Sequence, residues 1–515
     1  MAGDYVENRE LKSTATSVAT TVAKALRKKE LPVWKNALQE LQIPAEAYST
    51  IELSFKYLRG EQLKKTFLLC SLITPAPIMD LFKYSMGLGV FKSVHKLEDA
   101  HNKLHAWVHQ LRDSCLLLED GGSKYISMHD VVRDVAISIA FRDMNAFVVR
   151  NEDDWKWPNA DELKKYFAIS FKDSIVNDIP EGSESLQLEL LFMSPKNSFA
   201  VPNIPENFFK RTKKLRVLDL TRMRLLSLPS SIGLLVNLQT LCLNQSIFGG
   251  IDIAIIGKLE NLEILSFLQS DIVELPKALG QLTKLRLLDL TDCFRLKVIA
   301  PNVISSLIRL EELYMGNCFI EWEVERANSK RKKHVGKLAM IKELQLHRHY
   351  HLKQLCKQDS KLGPIFQYLE ILRVHHCQSL LILLPSSSVS FRNLTKLVAL
   401  GCKKLIHLVT SSTAKTLVRL ISLYVYGCRA MTEVVINDKD GVEKEEIVFR
   451  KLKRLELRDL DSLTSFCSAN YTFEFPSLQD LSVIGCPKFK IFTTGESSTP
   501  PRLLAGSSSY SVDYD

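Results

Sequence analysis

Leucines recur through the second half of the chain at a spacing that no single helix or strand would produce. LRVLDL begins at 215, LQTLCL at 238, LEILSF at 262, LRLLDL at 285 and LEELYM at 310, so successive starts lie 23, 24, 23 and 25 residues apart. Side chains of a strand alternate between its two faces. Leu218 and Leu220 therefore point into a core, while Val217, Asp219 and Thr221 point away from it. One such segment cannot bury its own leucines, so the segments must stack side by side and stabilise one another. The pattern continues with IKELQL at 341, LEILRV at 369, LTKLVA at 394, LISLYV at 420, LKRLEL at 452 and LQDLSV at 478. Two wider gaps carry the charged runs RANSKRKKHVGK and INDKDGVEKEE, which suit solvent-exposed insertions.

A period in the twenties headed by LxxLxL is that of a leucine-rich repeat. The cysteines test this independently. Cys293, Cys318, Cys377, Cys402, Cys428 and Cys486 each follow by three residues the last apolar residue of a hexad (Leu290, Met315, Val374, Ala399, Val425, Val483). That is the Asn/Cys position of the repeat, where a small buried side chain can bond to neighbouring backbone. YFAISF (166–171) and LELLFM (188–193) repeat the spacing irregularly and read as lead-in turns that cap the array. The ladder thus predicts an α/β fold: a leucine-rich-repeat solenoid, a horseshoe with a parallel concave β-sheet.

The first third lacks the repeat. Residues 11–26 have helical spacing, and Trp34, Leu38 and Leu41 mark one helical face, followed by Ile51, Phe55 and Leu58, then Leu63, Phe67 and Leu68. KLEDAHNKLHAWVHQL (96–111) reads as a further helix. CLLLEDGGSKYISM, with Asp120-Gly121-Gly122 at its centre, reads as a β-hairpin. DVVRDVAISIA reads as a helix with Asp130 as its N-cap. Helices followed by a hairpin describe a small, mainly α winged-helix domain, which leaves nucleic-acid binding and protein packing equally open.

Several segments carry a resemblance. LPVWKNALQEL (31–41), IELSFKYL (51–58), LKKTFLLCSLI (63–73) and YISMHDVVRDVAISIA (125–140) resemble the C-terminal part of the nucleotide-binding (NB-ARC) module of plant nucleotide-binding leucine-rich-repeat disease-resistance receptors of the coiled-coil class. Met128-His129-Asp130 matches that family's Met-His-Asp motif, and FLLCSLI its Phe-Leu-x-Cys-Ser-Leu motif. The repeats at 215–243 and 285–318 are similar to the same family. The resemblance implies a role in plant innate immunity, with the repeats sensing pathogen effectors or modified host proteins, or engaging a full-length receptor. It also implies that Met128, His129 and Asp130 form a remnant of an ADP/ATP switch, His129 being the contact to the ADP β-phosphate. ADP or ATP is the cofactor of full-length members. No GxxxxGK[ST] phosphate loop occurs in these 515 residues, so no cofactor is expected for this chain by itself.

The resulting organisation is an N-terminal helical segment at 1–30, the winged-helix domain at 31–145, a connector with lead-in repeats at 146–214, the solenoid at 215–495 and a disordered tail at 496–515. No apolar run is long enough for a membrane span. A cytoplasmic location is the expectation, with nuclear entry or peripheral membrane association left open. The net charge of +10 is spread over a long chain and reads as a solvated surface. No GxSxG, HExxH or CxxC pattern points to catalysis, and the chain is not read as an enzyme. His347, His349 and His351 lack a nearby Cys or carboxylate to complete a tetrahedral set, so no metal site is assigned. Lys330-Arg331-Lys332-Lys333 resembles a nuclear-import signal but suits a solvated loop.

The remaining candidate is the concave face. There the alternation places Asp219, Asp289, Glu312, Tyr314, His347, Arg373, His375, Lys396, Tyr424, Tyr426, Arg454 and Arg458 as partner-binding residues. Tyr and Arg are frequent binding hot spots. The first half of the face is expected to hold the winged-helix domain or another intramolecular partner, and the second half an external protein. A winged-helix nucleic-acid binder is the alternative, though DVVRDVAISIA is too apolar and acidic for a recognition helix, so nucleic acid is not expected. A substrate adaptor built on the repeats is the other alternative.

Overall fold

The computed structural model describes residues 46–493 apart from 92–93, 119–123, 150–156, 173–178, 182–186, 196–202, 317, 319–320, 323–340, 349–354, 356–366, 386–389 and 439–444. The helix expected at 11–26, the Trp34 stripe, the basic run Lys330–Lys333, His349, His351 and the tail at 496–515 lie outside the described residues. The chain divides into two compact units. Residues 1–242, 261–264 and 512–515 make up the first, and 243–260 and 265–511 the second.

In the first unit the helices expected around Ile51, Leu63, Leu97 and Asp130 form, as α1 (Glu46–Lys56), α2 (Glu61–Ile73), α4 (Leu97–Asp113) and α5 (Asp130–Met144), and a helix that the apolar spacing did not single out, α3 (Ile78–Gly87), lies among them. Helix α2 buries its whole circumference from Thr66 to Ile73, at the centre of this small core. Helix α4 shows the one-sided stripe instead, burying Leu97, Ala100, Leu104, Val108 and Leu111. Helix α5 buries Val132, Val135, Ala136, Ile139 and Ala140.

One local expectation is corrected. The N-cap of α5 is His129, not Asp130: its Nδ1 accepts from Val131 N at 3.4 Å, and Asp130 falls in the first turn. There its negative charge still favours the helix start. The turn of the hairpin expected at Asp120-Gly121-Gly122 lies outside the described residues, while on its flanks Leu118 N donates to Ser127 O at 2.9 Å. Strand β2 (Tyr125–Ile126) also pairs antiparallel with β1 (Ala76–Pro77), where Ala76 faces Ile126. A strand edge pairs with whichever backbone the tertiary core presents, which local turn chemistry does not reveal.

After α5 the first unit changes to parallel strands: β3 (Ala146–Val148), β4 (Ala168–Ser170), β5 (Leu190–Phe192), β6 (Val217–Asp219) and β7 (Thr240–Cys242). They pair in order, with Leu191, Leu218 and Leu241 aligned across β5 to β7 and all buried. Helix α3 packs onto this ladder. Tyr84 OH donates to Asp219 Oδ2, and Thr240 Oγ1 donates to Lys83 O at 2.9 Å. Gly87 permits the approach, since a Cβ there would lie 2.5 Å from Val217 Cγ2 and 2.6 Å from Thr240 Oγ1. Ser170 Oγ donates to Leu72 O at 3.1 Å, and Lys172 Nζ to Pro75 O at 2.7 Å.

The second unit is built on a parallel ladder in unbroken register: β8 (Leu287–Asp289), β9 (Glu312–Gly316), β10 (Glu343–His347), β11 (Ile371–His375), β12 (Lys396–Leu400), β13 (Ser422–Tyr426), β14 (Arg454–Arg458) and β15 (Asp480–Ile484). Leu313, Leu344, Leu372, Leu397, Leu423, Leu455 and Leu481 align as one buried row. Opposite lies a 5-stranded parallel sheet of Ile382–Leu384, His407–Thr410, Glu433–Ile436, Ser465–Cys467 and Ile491–Thr493. Phe449, Phe466 and Phe473 are fully buried and fill the later repeats.

Among the described residues, the turns leaving the ladder strands begin in the same way. The residue two beyond the last core position takes a left-handed conformation, for example Asp292 at φ 58°, His376 at 55°, Gly401 at 63° and Gly485 at 65°. Glycine is demanded at 401, where a Cβ would sit 2.4 Å from His376 Nδ1. At Cys293, Cys377, Cys402, Cys428 and Cys486 the next residue is the cysteine of the repeat formula, whereas Leu460 follows Asp459. The thiols of Cys293, Cys402, Cys428 and Cys486 lie within donor reach of the carbonyls of Phe267, Val374, Ala399 and Leu457, the last core residues of the preceding repeat, at 3.1, 3.8, 3.9 and 3.7 Å. Burial pushes the Cys293 thiol up to about 12, so it remains a neutral donor.

Leu397→Ala should destabilise the protein by about 2–5 kcal/mol, because its neighbours in the row hold the cavity open. Val398→Thr, one residue along but facing outward, should cost about 0.5 kcal/mol or less. Urea unfolding of both variants provides the comparison. Tyr84→Phe should cost about 1–3 kcal/mol by removing the Tyr84 donor from Oδ2 of the buried Asp219 carboxylate, read as a lowered urea midpoint.

Candidate recognition surface

Alternation along the ladder strands of the second unit leaves three rows of side chains facing away from the core. The first contains Glu312, Glu343, Ile371, Lys396, Ser422, Arg454 and Asp480 in lateral register. The second contains Asp289, Tyr314, Gln345, Arg373, Val398, Tyr424, Glu456 and Ser482. The third contains Gly316, His347, His375, Leu400, Tyr426, Arg458 and Ile484. Every candidate chosen from the hexads between 289 and 458 occupies one of these rows. Asp219 belongs to the first unit, where Tyr84 of α3 covers it.

The acidic beginning of the surface is mostly closed. Asp289 is 5% exposed, and its Oδ1 accepts from Thr291 N at 3.1 Å. Asp219 makes the same local bond to Thr221 N at 2.7 Å. Both therefore hold the turn after an LDLT segment, a job Asp performs through its short side chain. Glu312 is 4% exposed and accepts from Tyr314 OH at 2.7 Å. Burial, reinforced by the Glu312 charge, raises the Tyr314 phenol well above its ordinary value, so it stays a donor. The Tyr84 phenol is raised for the same reasons, by burial first and by Asp219 second.

The centre is an ion-paired and imidazole-rich region. Arg373 Nη1 pairs with Glu343 Oε1, which also accepts from Gln345 Nε2 at 2.8 Å. The His347 ring lies 6.1 Å from that of His375 and 5.8 Å from that of His376. His375 Nε2 is buried, with no hydrogen-bond partner among the described residues. Burial, then the neighbouring His347 and Arg373, push His375 down to about 4.

Beyond it the face becomes aromatic and cationic. Lys396 Nζ lies 5.9 Å from the Tyr424 ring centroid, and the Tyr424 and Tyr426 rings are 6.2 Å apart. Tyr426 OH donates to Glu456 Oε2 at 2.7 Å, and Arg458 Nη2 reaches the same oxygen at 3.4 Å while its guanidinium carbon lies 5.7 Å from the Tyr426 ring. Burial and Glu456 raise the Tyr426 phenol. Arg454 is exposed, with Asp480 as its cross-strand neighbour.

Selection by residue type missed Glu343, Gln345, Glu456 and His376. Glu343 and Gln345 stand at outward positions of IKELQL and Glu456 at that of LKRLEL, so the alternation itself was the signal. Their pairing with Arg373, Tyr426 and Arg458 makes the second half of the face an alternation of charges rather than a basic field. Elsewhere, Met128 is 7% exposed beneath the start of α5, His129 is engaged with Val131 N, and Asp130 follows it. What the ladder face offers chemically, among the described residues, is directed hydrogen bonding and aromatic contact over a rigid set of rows.

Comparison with known proteins gives a consistent picture. A family model described as "Plant disease resistance protein RPS2-like, leucine-rich repeats" matches residues 258–390 and 384–495. "Disease resistance protein At4g27190" of Arabidopsis thaliana is 27% identical over 372 residues, 67% of this chain and 38% of that protein. "Probable disease resistance protein At4g27220" of the same plant is 30% identical over 244 residues, covering 44% and 26% respectively. "Probable disease resistance protein At1g61300", also from Arabidopsis thaliana, is 25% identical over 488 residues, 91% of this chain and 62% of that protein. The chain thus spans less than two thirds of the length of each of these relatives. Among the described residues no helix is long and apolar enough to cross a membrane.

The depressed His375 value carries a pH dependence. The unfolded chain takes up this proton near pH 6.5 and the folded protein only near pH 4. The contribution is therefore fully present above about pH 6.5 and is lost as the pH falls towards 4. His375→Leu, which extends the Leu400 side of the row, should flatten the fall in urea midpoint across that window.

Proposed function

We propose that this chain, which belongs to the plant nucleotide-binding leucine-rich-repeat disease-resistance proteins, acts as a protein-recognition module in plant defence. The single observation that carries the proposal is the second unit's ladder face. Its rows hold Arg373, braced by Glu343, and Tyr426 and Arg458, braced by Glu456, with Tyr424 between Lys396 and the Tyr426 ring. Bracing lowers the side-chain entropy that a binding event would otherwise cost. Aromatic and Arg residues so held are the types that dominate binding energy at protein interfaces. The partner class is a pathogen effector, a modified host protein or a full-length receptor of the same family.

The first unit supports a division of labour. Its ladder face at Asp219 and Thr240 is taken by α3, through Tyr84 and the Lys83 carbonyl. Recognition of an outside protein accordingly falls to the second unit. Helix α5 does not favour the nucleic-acid alternative. It carries Asp130, Asp134 and Asp143 beside Arg133 and Arg142, and Arg142 is paired with Glu52 and Asp143 at 3.0 and 2.8 Å. A helix of that balance lacks the cationic stripe that phosphate contact requires.

Arg373→Glu combined with Tyr424→Ala should weaken binding of a cognate protein by about thirtyfold or more, the loss of one hot spot. Affinity capture from challenged plant tissue, comparing this variant with the unmodified chain by quantitative mass spectrometry, provides the test. Retention of every captured protein by the variant would remove the ladder face as the recognition surface.

A further inference from the structure

The edge where the chain enters ladder strands β12, β13 and β14 has a charge pattern that the repeat formula does not require. The three segments FRNLTK (391–396), LVRLIS (417–422) and FRKLKR (449–454) occupy equivalent positions in successive repeats. They contain Arg392, Lys396, Arg419, Arg450, Lys451, Lys453 and Arg454 and no acidic residue. All of these cations are exposed except Lys396, which is half-buried. Val418 and Ile421 stand exposed among them, at 37% and 36%. The equivalent segment before this patch holds Glu370 and no cation, and the one after it ends in Asp480. The patch is therefore confined to three repeats. Arg419 Nη1 donates to Asn393 Oδ1 at 3.1 Å, which ties two of the repeats together along the edge.

We infer that this edge is a docking surface for an acidic segment of a partner protein, its carboxylates meeting Arg392, Arg419, Lys451 and Lys453 and its aliphatic residues covering Val418 and Ile421. The inference rests on the protein-recognition reading and extends it from the face to its rim. Charge complementarity sets the sign of the partner. The two aliphatic residues set its class, because a surface meant only for phosphates gains nothing from exposed Val and Ile. Phe391 and Phe449, the aromatic residues of these segments, are buried, so no ring is offered for stacking nucleic-acid bases. Continuity decides between a protein segment and an anionic bilayer. Lys396 belongs both to the edge and to the first outward row, where it faces the Tyr424 ring. A partner seated on Tyr424 thus reaches the edge without a second binding event. Acidic residues bound the patch on its flanks, Asp480 across from Arg454 and Glu474 and Glu446 towards Arg450, so the docking area centres on Arg419 and Lys453.

The test uses the full chain and a fluorescent ten-residue peptide of alternating Glu and Leu, with binding read by anisotropy at low salt. The unmodified chain should bind it. Arg419→Glu with Lys453→Glu should weaken binding by about tenfold or more and should instead bind the peptide carrying Lys in place of Glu. Val418→Ser with Ile421→Ser should also weaken the Glu–Leu peptide, by about threefold or more. All four residues are exposed, and an unchanged melting temperature would establish that the variants fold. An unaffected charge-reversal variant would overturn the inference. So would a uridine decanucleotide, or phosphatidylserine vesicles, binding at least as tightly as the peptide and losing as much on charge reversal. The affinity capture described above separates the two readings. Partners retained by the edge variant but lost with Arg373→Glu and Tyr424→Ala leave the ladder face standing and remove the edge, whereas partners retained by both remove both.

Discussion

The turn out of each ladder strand is the constraint on which the second unit depends. A parallel ladder repeats only if every strand is followed by a reversal of the same hand, and among the described turns that reversal begins with one left-handed residue, most often followed by a small buried cysteine. The left-handed conformation is open to glycine without strain and to Asn or Asp with little. Gly401, Gly427 and Gly485 meet it directly, while His376 and Arg348 adopt it at φ 55° because the flanking rows are already locked. Where a cysteine follows, its thiol lies within donor reach of a carbonyl of the neighbouring repeat and ties the two turns together.

Once the turns hold the register, surface chemistry follows from it. Outward residues of adjacent strands come side by side at the inter-strand spacing, so pairs that are decades apart in sequence become neighbours. Glu343 and Arg373 meet in this way, as do Tyr426 and Glu456. The pairs rigidify the face and neutralise its centre. What remains for a partner is aromatic surface and directed hydrogen bonds, flanked by a cationic rim where the pairing stops.

The two units use the same kind of ladder differently. In the first, α3 occupies the face and turns Asp219 into a buried acceptor. In the second, the rows from Lys396 onward keep half-buried aromatic and charged groups within reach of another molecule. That contrast is the basis of the proposed division of labour between the two.

The sequence by itself determined the repeat, its inner leucine rows, the cysteine position and the helical character of the first third, because each depends on a local period or a fixed offset along the chain. It also placed the outward candidates correctly in their rows, since alternation within a strand is local. Which of them are accessible was decided only by the tertiary structure. Asp289 and Glu312 are buried, Arg373 is paired, and Asp219 lies under a helix more than a hundred residues earlier in the chain. The same holds for the partner of Tyr125–Ile126 and for the capping role of His129, each set by which backbone or side chain the packed core brings near. Periodicity assigns a side chain to a face, but burial and pairing depend on what packs against that face, and long-range packing leaves no periodic trace in one sequence.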